Sequence, residues 1–271
     1  MNRFVGRVFF VLAVTTNISL GAAPDDKPSA AQVNMAADDR VSAELHARAV
    51  AGDAESQYRL GYAFFASEPK DGPDAAVWLR KAADQGFELA EVQLAAIYGA
   101  GELVPKDLVE CAKWGRKAAE QGNKLCQLAI GGMYEKGEGV PQNLIEAAKW
   151  LRKAADQGLT QAQTELGKVY QSLAVPDLRP FAETGDSQAQ CEIGTRYAAG
   201  NGVPKDLVEA TKWFRKSADQ GNKYSEFILG ALYIHGEGVP KDSTEGLKWL
   251  HKSADQGFAP AQQMLGDIPS G

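Results

Sequence analysis

The 271-residue sequence holds few of the side chains that most often do chemistry: three histidines and three cysteines. His46, His235 and His251 lie far apart, with no second ligand at the i, i+4 spacing of a helical zinc site, so no metal is expected. No serine sits in a nucleophile-elbow context. An excess of basic charge is also missing, since 29 Lys and Arg stand against 35 Asp and Glu for a net charge of −6. Nucleic acid and anionic membranes need clustered cations to displace counterions, which excludes both as partners. No apolar run reaches the ~20 residues of a comfortable membrane span.

The apolar run that is present, Val8 to Val14, follows Arg3 and Arg7 and precedes the small and polar stretch Thr15 to Gly21. That order predicts a secretory signal peptide over 1–21, cut near Gly21 to Ala23, and hence a periplasmic or secreted protein. An uncleaved segment would leave a membrane anchor. Cleavage removes two positive charges and takes the net charge to −8. Residues 22–40 mix Pro, Asp, Ser and Ala without periodicity and read as a flexible leader. Three cysteines cannot all pair within one chain. Cys111 and Cys126 flank a helix turn asymmetrically, leaving a mismatch of roughly 10 Å along the axes, beyond the reach of a disulfide. All three stand where sister repeats carry small or apolar residues, so they are expected to fill the core.

The tryptophans reveal the organisation. Trp78, Trp114 and Trp150 are 36 residues apart, Trp213 and Trp249 are again 36 apart, and the interval between the two sets is 63. Self-similarity at this period signals stacked helix pairs. In the unit 123–158, Leu125, Leu128, Ile130 and Tyr134 form a first helix, and Gly137 and Gly139 end it. Asn143 then caps a second helix from Leu144, whose Ala147, Trp150, Leu151 and Ala154 share one face. Asp107, Asp206 and Asp242 occupy the same capping place. The recurring loop, Gly236 to Asp242 in its last copy, could suggest a phosphate cradle. It lacks the Gly-Lys-Ser/Thr ending, and every residue already has a mechanical task. Leu103 replaces the second glycine in unit two, so that loop should be shaped differently.

The pattern Gly-Asp-Ala-Glu-x-Gln-x-x-Leu-Gly at Gly52 to Gly61, then Gly-x-Gly-Val-Pro-x-Asp, then Ala-x-Lys-Trp-x-x-Lys-Ala-Ala-x-Gln-Gly, resembles the Sel1-like repeat, a relative of the tetratricopeptide repeat. The resemblance covers Ala49 to about Gly266. It implies an all-α, right-handed α-solenoid of antiparallel helix pairs, used for protein–protein contact in bacterial envelope regulation, assembly or host interaction. It implies no catalytic residues and no cofactor. A rival it also implies is binding or weak hydrolysis of β-lactams or peptidoglycan peptides. The expected layout is a capping helix over 41–51, repeats one to three over 52–158, an irregular shortened repeat over 159–185, repeats five and six over 186–257, and a C-terminal capping helix and tail over 258–271. In the shortened repeat, Pro176 and Pro180 permit at most a short helix, and a change of superhelical direction is expected there.

By analogy with tetratricopeptide units, the first helix of each pair lines the concave face and binds a protein or peptide. The expected partner-binding residues are Tyr58, Arg59 and Tyr62, then Gln93, Lys136, Glu192 and Thr195, and finally Ile228 and His235. Phe227, at the apolar C-terminal end of that series, is equally a candidate for packing under its neighbours. A scaffold or homodimer built on that apolar end is a further possibility. Glu110, Glu146 and Glu209 recur at one helix-surface position and are expected to face solvent.

Overall fold

The computed structural model describes residues 35–66, 72–101 and 103–267, and within them only helices and their connections. The signal peptide and most of the leader read from the sequence lie outside the described residues, as does most of the first inter-helix loop. Helix α1 spans Met35–Val50, α2 Ala54–Ala66, α3 Gly72–Asp84, α4 Glu88–Ala100, α5 Leu108–Glu120, α6 Lys124–Lys136 and α7 Leu144–Asp156. Helix α8 spans Thr160–Ser172, α9 Val175–Glu183, α10 Ser187–Ala199, α11 Leu207–Ala218, α12 Lys223–His235, α13 Ser243–Asp255 and α14 Ala259–Asp267. The fold is an α-solenoid of antiparallel pairs. Packing divides it into two compact units, one ending at Leu166 and the other beginning at Gly167.

The sequence signals for helix ends act as expected. Asp107, Asn143 and Asp206 each accept two backbone N–H bonds from the first turn of the following helix, and Asp242 accepts one. Such a cap stabilises a helix by about 1 kcal/mol. At the other end, Gly101, Gly137, Gly200 and Gly236 adopt the left-handed conformation and return an N–H to the last turn. The cap residue also reaches back, because the N–H groups of Asp107, Asn143, Asp206 and Asp242 donate to the carbonyls of Tyr98, Tyr134, Tyr197 and Tyr233. The same hydrogen bond therefore closes each of these four hairpins.

The second loop glycine has a separate task. A Cβ on Gly139 would lie 2.0 Å from the carbonyl oxygen of Leu108, and one on Gly238 would lie 2.3 Å from that of Leu207. Leu108 and Leu207 open the second helix of the preceding repeat. The glycine thus lets one repeat's loop press on the backbone of the last. Gly202 has the same positive φ but nothing within 4 Å of its would-be Cβ.

The reason lies in the shortened repeat. Helix α9 has 9 residues where its sisters α5 and α7 have 13, and a two-residue connection, Leu173 and Ala174, replaces the seven residues 137–143. Four residues lost from the helix and five from the connection account for the nine missing between the tryptophan sets. The register beyond the deletion is intact. Arg179 donates to the Tyr197 hydroxyl at 3.0 Å, as Arg80 does to Tyr98 at 2.6 Å across the same separation of 18 residues. Helix α9 simply lacks its first turn, the turn that Gly202 would otherwise have touched.

Without a loop glycine, the carbonyls at the end of α8 need another donor. Arg196 supplies it from α10: Nη2 donates to Tyr170 O at 3.0 Å and Gln171 O at 2.8 Å, and Nη1 donates to Leu173 O. Glu192 holds the other edge of the guanidinium at 2.8 Å. At this register the sister repeats carry Ile97, Met133 and Leu232, all buried and apolar.

The core follows the tryptophan pattern. Trp114, Trp150, Trp213 and Trp249 are buried and Trp78 is half-buried. Each carries a lysine over its ring, from Lys81 on Trp78 at 4.0 Å to Lys252 on Trp249 at 3.9 Å. Cys111 and Cys126 are buried and unbridged, which fits the core-filling reading, and Cys191 is half-buried and free. Burial pushes the Cys111 thiol up to about 12 and raises Cys126 further still.

Candidate functional site

Two kinds of position alternate along each first helix. Positions that hold repeat to repeat carry nearly the same residue in every copy. Gln57 donates to Ala49 O, Gln127 to Ala119 O, Gln190 to Ala182 O and Gln262 to Ala254 O, always eight residues back. The Gln57, Gln127 and Gln190 amide oxygens then accept from Gln85, Gln157 and Gln220 at 2.7–2.8 Å. The first of these bonds reaches back to the preceding helix and the second comes from the end of the second helix of the same pair. A buried primary amide suits the place, because it satisfies a carbonyl and offers one at the same time. Glu110 belongs to this framework. It accepts from Trp114 Nε1 at 3.0 Å, from Lys113 at 2.9 Å and from Arg80 of the preceding repeat at 2.8 Å. Burial alone would raise its pKa, but those partners outweigh burial and hold the carboxyl below its usual range. The expectation that Glu110 merely faces solvent is therefore corrected. It ties an indole and a neighbouring repeat together, and Glu245 holds the Trp249 indole in the same way at 2.9 Å.

The other kind of position changes from copy to copy. One register of the first helices carries Arg59, Gln93, Ala129, Glu165, Glu192 and Ile228, and the next, one turn on, carries Tyr62, Ala96, Gly132, Lys168, Thr195 and Ala231. In the first unit Arg59 is exposed and ion-paired to Glu55 at 2.6 Å, Tyr62 is half-buried 5.8 Å from the Phe65 ring, and Lys136 is exposed. Arg59 borders an open cleft of about 280 Å³ lined also by Glu44, Arg48, Glu55 and Ser56. In the second unit Thr195 and His235 are exposed, and Glu192 and Ile228 are half-buried. The Thr195 hydroxyl is turned back onto Cys191 O at 2.9 Å.

Two of the residues expected to face a partner do not. Tyr58 is 3% exposed and packs on the Phe87 ring at 5.2 Å, and its burial raises the phenol pKa. Phe87 stands where Asn123, Asn222 and Asp186 cap their helices and makes no side-chain cap, so the ring contact replaces the capping bond. Phe227 and Phe258 repeat the arrangement at 5.5 Å, so Phe227 is a packing residue. Gln93 is 1% exposed, and its Nε2 meets no acceptor among the described residues. Both Tyr58 and Gln93 belong to the interior rather than to a contact surface.

Sequence reasoning missed the glutamine ladder and the Arg196 plug. The ladder had a visible signal, since glutamine recurs four residues before the mid-helix glycine and again before the closing glycine of every repeat but the shortened one, where Thr184 precedes Gly185. Arg196 had none, because a lone arginine in a helix reads as a surface residue. Among the described residues no group of three or more His, Cys, Asp or Glu could hold a metal ion. No described helix is long and apolar enough to cross a membrane.

Comparison with known proteins gives a consistent picture. Five stretches, residues 54–87, 89–123, 125–159, 187–222 and 223–258, match the Sel1 repeat. The shortened repeat falls in the gap between the third and fourth matches. The secretory immunoglobulin A-binding protein EsiB of Escherichia coli O6:H1 is 48% identical over 40 residues, 15% of this chain and 8% of that protein. Among solved structures, c5321, a protective antigen of uropathogenic Escherichia coli with an SLR fold, is 34% identical, covering 82% of this chain and 50% of that one, with a TM-score of 0.48. A Sel1 repeat protein from Oxalobacter formigenes is 27% identical, covering 97% of this chain and 76% of that one, with a TM-score of 0.45. The chain thus spans half the length of the first structure and a small part of the curated relative.

Proposed function

Because this chain belongs to the Sel1 repeat family, we propose that it is an exported, non-enzymatic scaffold that binds a protein or peptide along the variable face of its first helices. Proteins of this family are generally interaction scaffolds. The observation that carries the reading is the split between positions. Ladder, tryptophan and capping residues recur because packing demands them, whereas the registers of Arg59 and Tyr62 vary along the chain, with four or more residue types among six copies. Gln93, Ala96, Ala129 and Gly132 of these registers are buried, so selection for a particular partner can act at the exposed members, such as Arg59 and Thr195. Arg59 and Tyr62 in the first unit, and Thr195, Ile228 and His235 in the second, supply the Arg, aromatic and apolar anchors that dominate binding energy. One relative is named for binding an immunoglobulin, which supports a folded protein as the class of partner. The order of residues 1–21 supports export.

The test compares variants of the full chain. Arg59→Glu with Tyr62→Ala, and Thr195→Glu with His235→Ala, are expected to lose envelope proteins captured by the wild type, while Val109→Ser on the second helix retains them. Equal capture by all three would refute the assignment of the face. N-terminal sequencing of the exported product is expected to begin between residues 22 and 24.

A further inference from the structure

The glutamine ladder is broken at two places. Glu91 in the first unit and Glu226 in the second stand where Gln57, Gln127, Gln190 and Gln262 stand in the other copies. Both are buried, at 2% and 3% exposure. Each carboxyl keeps the second half of the glutamine arrangement, accepting from Gln121 or Gln256 at 2.8 Å. The first half is changed. The sister glutamines donate Nε2 to a carbonyl eight residues back, and the carbonyls at that register here are those of Ala83 and Ala218. These carbonyls already accept the N–H of Gly86 and Gly221. An ionised carboxylate has no hydrogen to give to such a carbonyl, whereas a protonated one has.

We propose that Glu91 and Glu226 are proton-operated clasps: on taking a proton from solvent, each donates its carboxyl O–H to the carbonyl of Ala83 or Ala218, making the glutamine bond and tightening the stack. The charged groups acting on Glu91 are Lys117 and Glu120 of α5 and Glu88 of its own helix. The Cys126 thiol of α6 is also close enough to feel it, and α3 presents the Ala83 carbonyl. On Glu226 the charged group is Lys252 of α13, while α11 presents the Ala218 carbonyl. Burial raises both carboxyls from an ordinary value of 4.5, against the opposing effects of the glutamine bond and the lysine. A raised carboxyl in the folded state means that folding takes up protons. The stabilisation is fully present below the ordinary carboxyl range and is lost as pH rises through the folded-state value. Carboxyls such as Glu110, lowered in the fold, have the opposite dependence, so the device is read as a difference between variants.

The experiment compares urea unfolding of the full chain and of the Glu91→Gln/Glu226→Gln variant at pH 8 and pH 4.5. Glutamine supplies the donor at all pH values. The variant is expected to show an unfolding equilibrium constant at least about threefold lower than wild type at pH 8, the gap closing at pH 4.5. An equal gap at both pH values, or a variant less stable at pH 8, would overturn the proposal. The reverse change, Gln127→Glu, imports the device. It is expected to lose stability at pH 8 and recover it in acid, and a loss unchanged by pH would equally overturn the proposal, even if the variant is largely unfolded at pH 8.

Discussion

Substitution of the second loop glycine distinguishes two physical effects that the sequence merges. Gly202 and Gly238 lie in the same unit and have φ values of +74° and +70°. Alanine at either site meets the left-handed penalty of roughly 1–2 kcal/mol. At Gly202 nothing more is lost, because the turn of helix that would face it is missing from α9. At Gly238 the new Cβ must also displace the Leu207 backbone from 2.3 Å, an overpacking cost of about 1–3 kcal/mol. Gly238→Ala should therefore be destabilising by about 2–5 kcal/mol and Gly202→Ala by about 1–2 kcal/mol. Gly139→Ala, at 2.0 Å from Leu108 O, should match Gly238→Ala in the other unit. Equilibrium urea unfolding, read as midpoint shifts at constant slope, is the assay. Equal losses at Gly202 and Gly238 would show that the glycine serves only its own dihedral angles and that the repeats do not meet there.

Arg196→Met installs the residue type its sister repeat carries at Met133, yet it should destabilise the second unit by about 2–3 kcal/mol, since it strips the charged donor from the carbonyls at the end of α8. Thermal unfolding with Met133→Leu as the control for apolar exchange checks this. Thiol titration with an aromatic disulfide reagent should leave Cys111 and Cys126 untouched in the native protein and count all three cysteines in urea, because burial raises every one of these thiols. Glu110→Gln should weaken the hold on Arg80 and flatten the pH dependence in the opposite sense to the buried glutamates. Its stabilisation is present above the ordinary carboxyl range and lost as pH falls through the lowered value.

Most of the architecture was legible from short-range chemistry. Capping acids, left-handed glycines and the tryptophan interval act within a few residues of where they stand, and helices α5 to α7 lie where those signals put them. What could not be read depends on partners brought close only by the stacking of one helix pair on the next. Tyr58 looks like a contact residue until Phe87, 29 positions on, closes over its ring. Arg196 becomes a helix terminator only because α8 has lost its glycine, and the donor comes from 23 residues or more away. Glu110 passes for a solvated acid until Arg80 reaches it from the preceding repeat. Of the residues expected to meet a partner, the exposed ones were recognisable because they break the repeat, and the two misassigned ones, Tyr58 and Gln93, break it as well but point inward.

The central claim is that recognition falls to the exposed members of the variable registers, such as Arg59 and Thr195, while the recurring registers pack. Site-specific photo-crosslinking tests it most directly, with the reactive group placed in turn at Tyr62 and Thr195 on the variable face, and at Val109 and Val208 on the exposed second-helix edge. The account predicts that, within each unit, an envelope protein is trapped from the variable-face position, 62 or 195, and not from the second-helix position, 109 or 208. Trapping from the second-helix positions alone in either unit would contradict it.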